Sequence, residues 1–217
     1  MRASLPEPPG GVRPLLIFPC NGNALEALDC LGSAFRLIGF VDDSPEKLGR
    51  TLHGHEVFPR AALTDWPDAL VLAVPGSPTS FRIRGGLIEG LALDPARFAR
   101  VVHPSARVSP LASLGRNVLV MAGVVITSNA VIGDHVCILP NTVIHHDVRI
   151  GDWTLIGSNA TLAGSVTVGP GCYLGSGCSV MNGLTIGAGA LIGIGSTVIR
   201  PVSPGNTVAG NPARPLG

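Results

Sequence analysis

The chain is poor in charge. Only 13% of its 217 residues are Asp, Glu, Lys or Arg, the formal net charge is +1, and Lys47 is the sole lysine. No Lys/Arg-rich run or basic stripe occurs, so the electrostatic footprint of a nucleic-acid or anionic-membrane binder is missing. Long apolar runs are also missing: none has the length that spans a bilayer, and no membrane insertion is expected. Met1 to Gly10 is proline-rich without an apolar signal core, and residues 1–12 read as a flexible N-terminal tail. The five cysteines (Cys20, Cys30, Cys137, Cys172, Cys178) are odd in number and scattered, which gives neither a disulfide framework nor a zinc-finger spacing. A reducing cytoplasm is the expected setting. No three of the histidines stand at a spacing that suggests a metal site, so no metal is expected.

What is present is a strict period. From Val102 to Val198 every sixth residue is a branched aliphatic, without a gap or an insertion. A fixed short period is the signature of a solenoid. The residue after the aliphatic is often glycine (Gly115, Gly133, Gly151, Gly157, Gly169, Gly175, Gly187, Gly193), and four residues on stands a small or apolar one such as Ala106, Thr154, Ala160, Cys172 or Ala190. Each hexad is expected to give one short strand and one tight turn, and three hexads to close a triangular coil of eighteen residues. The aliphatics stack inward, the small residues fit near the corners, and the glycines are expected to supply turn conformations. At about 4.8 Å per coil the run makes roughly five to six coils of a parallel β-helix. Most chains of this kind are acyltransferases. A generic solenoid scaffold is the alternative, although the outward Thr or Asn ranks of such proteins are not seen.

The preceding hundred residues read differently. Strands are expected at Pro14–Phe18, Phe35–Val41 and Ala69–Val74, with helices after Ala24 and over Phe81–Leu93. This alternation predicts a small parallel α/β sheet, whose strand-end loops bind ligands in open sheets of this kind. The candidate acceptor-binding residues are therefore Asn21, Gly22 and Asn23 after the first strand, Asp42 and Asp43 after the second, and Gly76 after the third. The two aspartates can meet a ribose or a base, or can simply form a turn and cap a helix.

Within the solenoid, Ile144-His145-His146-Asp147 breaks the run of small neutral residues. Acyl transfer from a thioester needs a base to take the acceptor's proton, and a histidine beside an orienting carboxylate suits that task. Eighteen residues beyond His146 is Gly164, one coil further on. A glycine there allows a thioester close and leaves a backbone N–H for the developing oxyanion. Two exposed turn histidines are the plain alternative. His103 fits a structural junction better than catalysis, and His53 and His55 flank Gly54 in an expected loop. A γ-class carbonic anhydrase uses the same helix with three metal-binding histidines, and no such set is found.

The chain resembles the bacterial sugar-nucleotide acyltransferases related to sialic acid O-acetyltransferases and aminosugar N-acetyltransferases. The likeness spans the whole chain and is carried by His103-Pro104-Ser105-Ala106, by Val143 to Gly151 around His145-His146-Asp147, by Leu162-Ala163-Gly164-Ser165-Val166, and by Gly210-Asn211-Pro212-Ala213-Arg214. It implies a Rossmann-like α/β domain over 13–101 that holds a sugar nucleotide, and a left-handed parallel β-helix over 102–217 with a C-terminal tail. It implies a homotrimer with acetyl-CoA lying between neighbouring prisms. His146 is then the general base, Asp147 its partner and Gly164 the oxyanion amide, while Gly175, Gly193, Asn211, Pro212 and Ala213 line the CoA path. The implied reaction is acetylation of an amine on a nucleotide-linked deoxysugar for surface polysaccharide or glycan assembly. O-acetylation of a sugar and a non-catalytic trimeric scaffold are the alternatives. The departures from the family pattern fall on the acceptor side: Pro19-Cys20-Asn21-Gly22-Asn23 replaces a glycine-rich loop carrying a histidine, His145 stands where an acid is common, and Leu139-Pro140 replaces an Asn-Thr pair.

Overall fold

The computed structural model describes residues 11–216; most of the N-terminal tail expected from the sequence, residues 1–10, lies outside this range. The chain begins with β1 (Arg13–Phe18), α1 (Gly22–Glu26), β2 (Phe35–Val41), β3 (Thr51–Leu52), β4 (His55–Phe58), α2 (Ala62–Asp65), β5 (Leu70–Ala73) and α3 (Arg84–Glu89). The sheet order is β3-β4-β2-β1-β5, and all pairings are parallel except the β3–β4 hairpin. The loop expected around His53 and His55 is in fact this hairpin, with Gly54 at its turn. The helix expected over Phe81–Leu93 is shorter: a 3₁₀ turn over Phe81–Ile83 leads into α3, which ends at Glu89 before Gly90. Arg97 donates to the carbonyls of Leu63, Trp66 and Ala69, which gives carbonyls in and just after α2 their donors.

From Val101 the chain winds into a three-sided prism of two-residue strands. Strand partners are eighteen residues apart throughout the body, as in Val125↔Val143↔Thr161 and Cys137↔Leu155↔Tyr173. The inward aliphatics are buried from Val120 to Val198, with small residues such as Ala160, Cys172 and Ala190 beside them. Thr142 and Thr154, also buried, donate their hydroxyls to the carbonyls of Gly157 and Gly169. The last coil is two residues short: Ile186 pairs with Val202 and Leu191 with Thr207. A closing hairpin, Thr207–Gly210 with Ala213–Pro215, ends the prism.

The glycines have two separate tasks. Positive φ falls three residues after the aliphatic, at Asn117, Asn129, His135, Asn141, Asp147, Trp153, Asn159 and Ser165, then at glycines from Gly171 to Gly195. The glycines directly after the aliphatic are not in that conformation, contrary to the expectation above. Their reason is close stacking: a Cβ on Gly151 would lie 2.5 Å from the Pro170 nitrogen of the next coil.

One face of the prism is apolar outside as well as inside. The residue before each inward aliphatic points outward by strand alternation. On every third hexad it is Val101, Leu119, Cys137, Leu155, Tyr173 or Leu191, and this face packs into one cluster with Leu15, Ile17, Phe40 and Leu72 of the α/β sheet. The sheet's other face, through Leu16, Val41, Val71 and Ala73, packs on α2 and α3. Asn117 completes the docking, accepting from the Ala73 N–H at 2.7 Å and donating to its carbonyl at 2.8 Å.

Candidate active site

The prism corner after the Val143–Ile144 strand carries His145, His146 and Asp147. Asp147 holds a left-handed backbone, φ 60°, at the turn position of its hexad. Its Oδ2 accepts a hydrogen bond from His146 Nδ1 at 2.8 Å, and its Oδ1 accepts from Asn129 Nδ2 at 3.1 Å. The His146 bond, seconded by the Asn129 bond, holds the Asp147 carboxyl below the usual carboxylate range. An ionised carboxylate only accepts, so the neutral imidazole keeps its proton on Nδ1 and presents the Nε2 lone pair outward. The His146 and Asp147 side chains are 62% and 50% exposed in the single chain, so an acceptor can reach them.

Gly164 lies one coil beyond, where the eighteen-residue spacing predicts it. A Cβ at Gly164 would stand 2.5 Å from both Cε1 and Nε2 of His146. The Gly164 carbonyl accepts from Gly183, whereas its own N–H donates to no group of the described residues. Three successive coils thus bring together an orienting amide, a carboxylate–imidazole pair and a free backbone donor. The contribution of Asn129 was not read from the sequence, yet the same arithmetic reveals it: it stands eighteen residues before Asp147. His145 is half-buried, and its N–H bonds to the Leu162 carbonyl.

A second feature lies between the α/β sheet and the prism. A cavity of about 530 Å³ is lined by the loops after β1 and β5, including Asn21, Gly22, Asn23, Gly76 and Ser77, and walled by prism residues such as Leu139, Leu155 and Tyr173. Asn21 caps α1 by accepting from the Ala24 N–H and, like Asn23, donates to the Val74 carbonyl. Asp42 and Asp43 are not in this lining. Buried Asp42 accepts from the Cys20 and Ser44 amides and from Lys47 at 2.9, 2.9 and 3.0 Å. Burial alone would raise its carboxyl, but the Ser44 and Lys47 bonds hold it below the ordinary value. Asp43 forms a two-point ion pair with Arg60 at 2.6 and 2.8 Å.

Within one chain the remaining expected residues stand apart from His146. Gly175 and Gly193 follow strands of the face that the α/β domain covers, and they occupy a different corner from His146 and Gly164. The spacing from Gly164 to Gly175, eleven residues, is not a whole coil. A Cβ on Gly193 would meet Ala209 at 2.8 Å, so that glycine also serves stacking. Asn211 and Pro212 form the exposed tip of the closing hairpin, and Ala213 lines a cavity of about 240 Å³ with Arg200 and Arg214. Among the described residues no group of three or more His, Cys, Asp or Glu is placed to hold a metal ion, and no helix is long and apolar enough to cross a membrane.

A prism of stacked hexads with a histidine–carboxylate pair on one corner defines the hexapeptide acyltransferase class. The sequence profile "Bacterial transferase hexapeptide (six repeats)" matches residues 111–145 and 129–164, and "Hexapeptide repeat of succinyl-transferase" matches 147–182. No curated protein matches the chain by sequence. Among solved structures, a histidine mutant of perosamine N-acetyltransferase from Caulobacter crescentus, in complex with CoA and GDP-perosamine, is 30% identical over 94% of this chain and 97% of its own, with a TM-score of 0.81. The acetyltransferase domain of PglB from Neisseria gonorrhoeae, in complex with acetyl coenzyme A, is 27% identical over 95% of this chain and 100% of its own, with a TM-score of 0.83. WeeI from Acinetobacter baumannii, 23% identical over 95% of this chain and 100% of its own with a TM-score of 0.80, shares the fold. The chain belongs to the family of bacterial hexapeptide-repeat, left-handed β-helix sugar-nucleotide acetyltransferases.

Proposed function

We propose that the protein transfers the acetyl group of acetyl-CoA to the amine of a nucleotide-linked deoxysugar, with His146 as general base. The observation that carries this reading is the stack of Asn129, His146–Asp147 and Gly164 on one corner, in a chain alike over nearly its whole length to an enzyme named for N-acetylation of perosamine. Acetyl-CoA is the acyl donor. The neutral amine attacks the thioester carbonyl carbon, a C–N bond forms, and the proton passes to His146 Nε2. The Gly164 N–H donates to the oxyanion of the tetrahedral intermediate. As the C–S bond breaks, the imidazolium returns its proton to the CoA thiolate, leaving the amide and free CoA. Asp147 stabilises the transient imidazolium, and no covalent enzyme intermediate is required.

The N-terminal domain is read as a Rossmann-like unit whose cavity at the ends of β1 and β5 holds the sugar nucleotide. That cavity adjoins the covered face, while His146 stands across a whole prism face on another corner of the same chain. A threefold assembly removes the separation, with the cavity, Gly175 and Gly193 of one subunit facing the corner that bears His146 in its neighbour. Exposed apolar side chains on the prism, Met181, Ile194 and Ile199, suit such contacts. We read the reaction as cytoplasmic, in supply of polysaccharide or glycan assembly.

The test is CoA release from acetyl-CoA with a panel of nucleotide-linked aminosugars and plain sugars, run beside His146→Ala. Turnover of an aminosugar that the variant loses, with acetyl-CoA binding retained, is the expected result. Turnover of hydroxyl acceptors alone would make the enzyme an O-acetyltransferase, and absence of both turnover and acetyl-CoA binding would leave a scaffold.

A further inference from the structure

Arg84 opens α3 and is fully buried. Its Nη1 donates to the Pro75 carbonyl and its Nη2 to the His135 carbonyl at 2.9 Å, while the buried Nε meets no acceptor. No carboxylate of the described residues forms an ion pair with it. Burial lowers its pKa to about 10, which leaves the guanidinium charged at neutral pH. A buried cation without a counter-charge is expensive to fold around, so its position calls for a reason.

The position is directly behind the acceptor cavity. Gly76, on the cavity wall, has φ +120°; a Cβ there would stand 2.8 Å from Leu155 Cδ1, itself a lining residue, 3.6 Å from Arg84 Cδ and 3.8 Å from Nη1. Leu87, also on α3, lines the same cavity. Among the described residues that line it, none is Arg, Lys or His. The cavity surface carries no charged side chain; Lys47, which reaches the Cys20 carbonyl beside it, is paired with Asp42, whereas the Arg84 guanidinium, unpaired among the described residues, bonds the Pro75 carbonyl in the Pro75–Gly76 wall.

We propose that Arg84 is the specificity-determining residue for an anionic acceptor: through the Gly76 wall its buried charge favours the diphosphate of a nucleotide-linked sugar over an uncharged sugar or nucleoside. This inference rests on the acceptor reading given above. A cation in the protein interior is screened far less than one at the surface, so it can act without direct contact. It also acts without giving up its hydrogen bonds to the two carbonyls, which join the β5 loop to the prism.

Calorimetric titration of the full-length protein tests this, with UDP, GDP and dTDP set against uridine, guanosine and thymidine. Wild type, Arg84→Gln and Arg84→Lys are compared. Wild type is expected to prefer a nucleoside diphosphate over its nucleoside; Arg84→Gln should lose affinity for the diphosphate on the order of tenfold while nucleoside affinity holds. Arg84→Lys, which keeps the charge but not the two-carbonyl bridge, should retain the preference. Equal weakening of both ligand kinds by Arg84→Gln would mark Arg84 as a loop staple and overturn the proposal, as would no change in either. If Arg84→Gln does not fold, Arg84→Lys decides: loss of the diphosphate preference with nucleoside affinity intact overturns it. A wild-type protein that binds no nucleotide or nucleoside overturns the acceptor reading, and this inference falls with it.

Discussion

At the residue scale, the chemistry depends on how closely one coil stacks on the next. Gly164 is required because a Cβ there would stand 2.5 Å from His146 Cε1 and Nε2. Gly164→Ala is expected to turn the imidazole out of line and lower kcat on the order of 100-fold with little change in folding, as read by steady-state kinetics and circular dichroism. Asp147→Asn reverses the hydrogen-bond demand on Nδ1 and puts the proton on Nε2. We expect kcat to fall by roughly 10²–10⁴-fold while the Kd for acetyl-CoA is preserved. Asn129→Ala removes only one of the bonds to the carboxylate, so its loss of kcat should be the smaller of the two.

At the scale of elements, buried polar side chains replace missing backbone partners. Asn117 supplies both a donor and an acceptor to Ala73, so β5 is bonded on its open side by a prism corner. Asn117→Ala strands that N–H and carbonyl, and urea unfolding should show a loss of about 2–3 kcal/mol. Asp42 plays the corresponding part at the end of β2, gathering the Cys20 and Ser44 amides and Lys47. Because its carboxyl is held below the value of the unfolded chain, its contribution is present at neutral pH. It is lost as pH falls from about 4, the unfolded value, through the lower folded one. Asp42→Asn should be less stable than wild type at pH 7, and the gap should narrow toward pH 3 in thermal melts followed across pH.

For the whole molecule, the α/β sheet and the prism share a core. Leu119, Cys137 and Leu155 of the prism belong to one cluster with Leu15, Ile17 and Phe40 of the sheet. Two independently folding units would melt separately, whereas a shared core couples them. Calorimetry is expected to show one transition, and Leu155→Ala to lower it as a whole by about 2–4 kcal/mol of stability. If the acceptor cavity and His146 meet only between subunits, the solution mass should be three times that of the 22.2 kDa chain. A His146→Ala chain and a chain impaired in the cavity should then regain part of the activity when reassembled together. Light scattering and mixed-subunit assays check these two outcomes.

The period-six aliphatics determined the prism, its register and the placement of Gly164 over His146. They did so because a coil of constant length turns sequence spacing directly into stacking. The face covered by the α/β domain was not read from the sequence, although the outward apolar residues before every third aliphatic, from Val101 to Leu191, carry its signal. The shortened last coil was not legible: the period simply stops at Val198, and only the pairing of Ile186 with Val202 shows where the chain rejoins the stack. Tertiary structure alone showed the partners of Asp42, whose carboxylate takes up Lys47 and two amides. It also decided that Arg84 is buried beside Gly76, with no carboxylate of the described residues paired to it. Repeats read one neighbour at a fixed distance, but an aperiodic α/β domain brings together residues whose separation in sequence carries no rule, and so its contacts had to be seen in space.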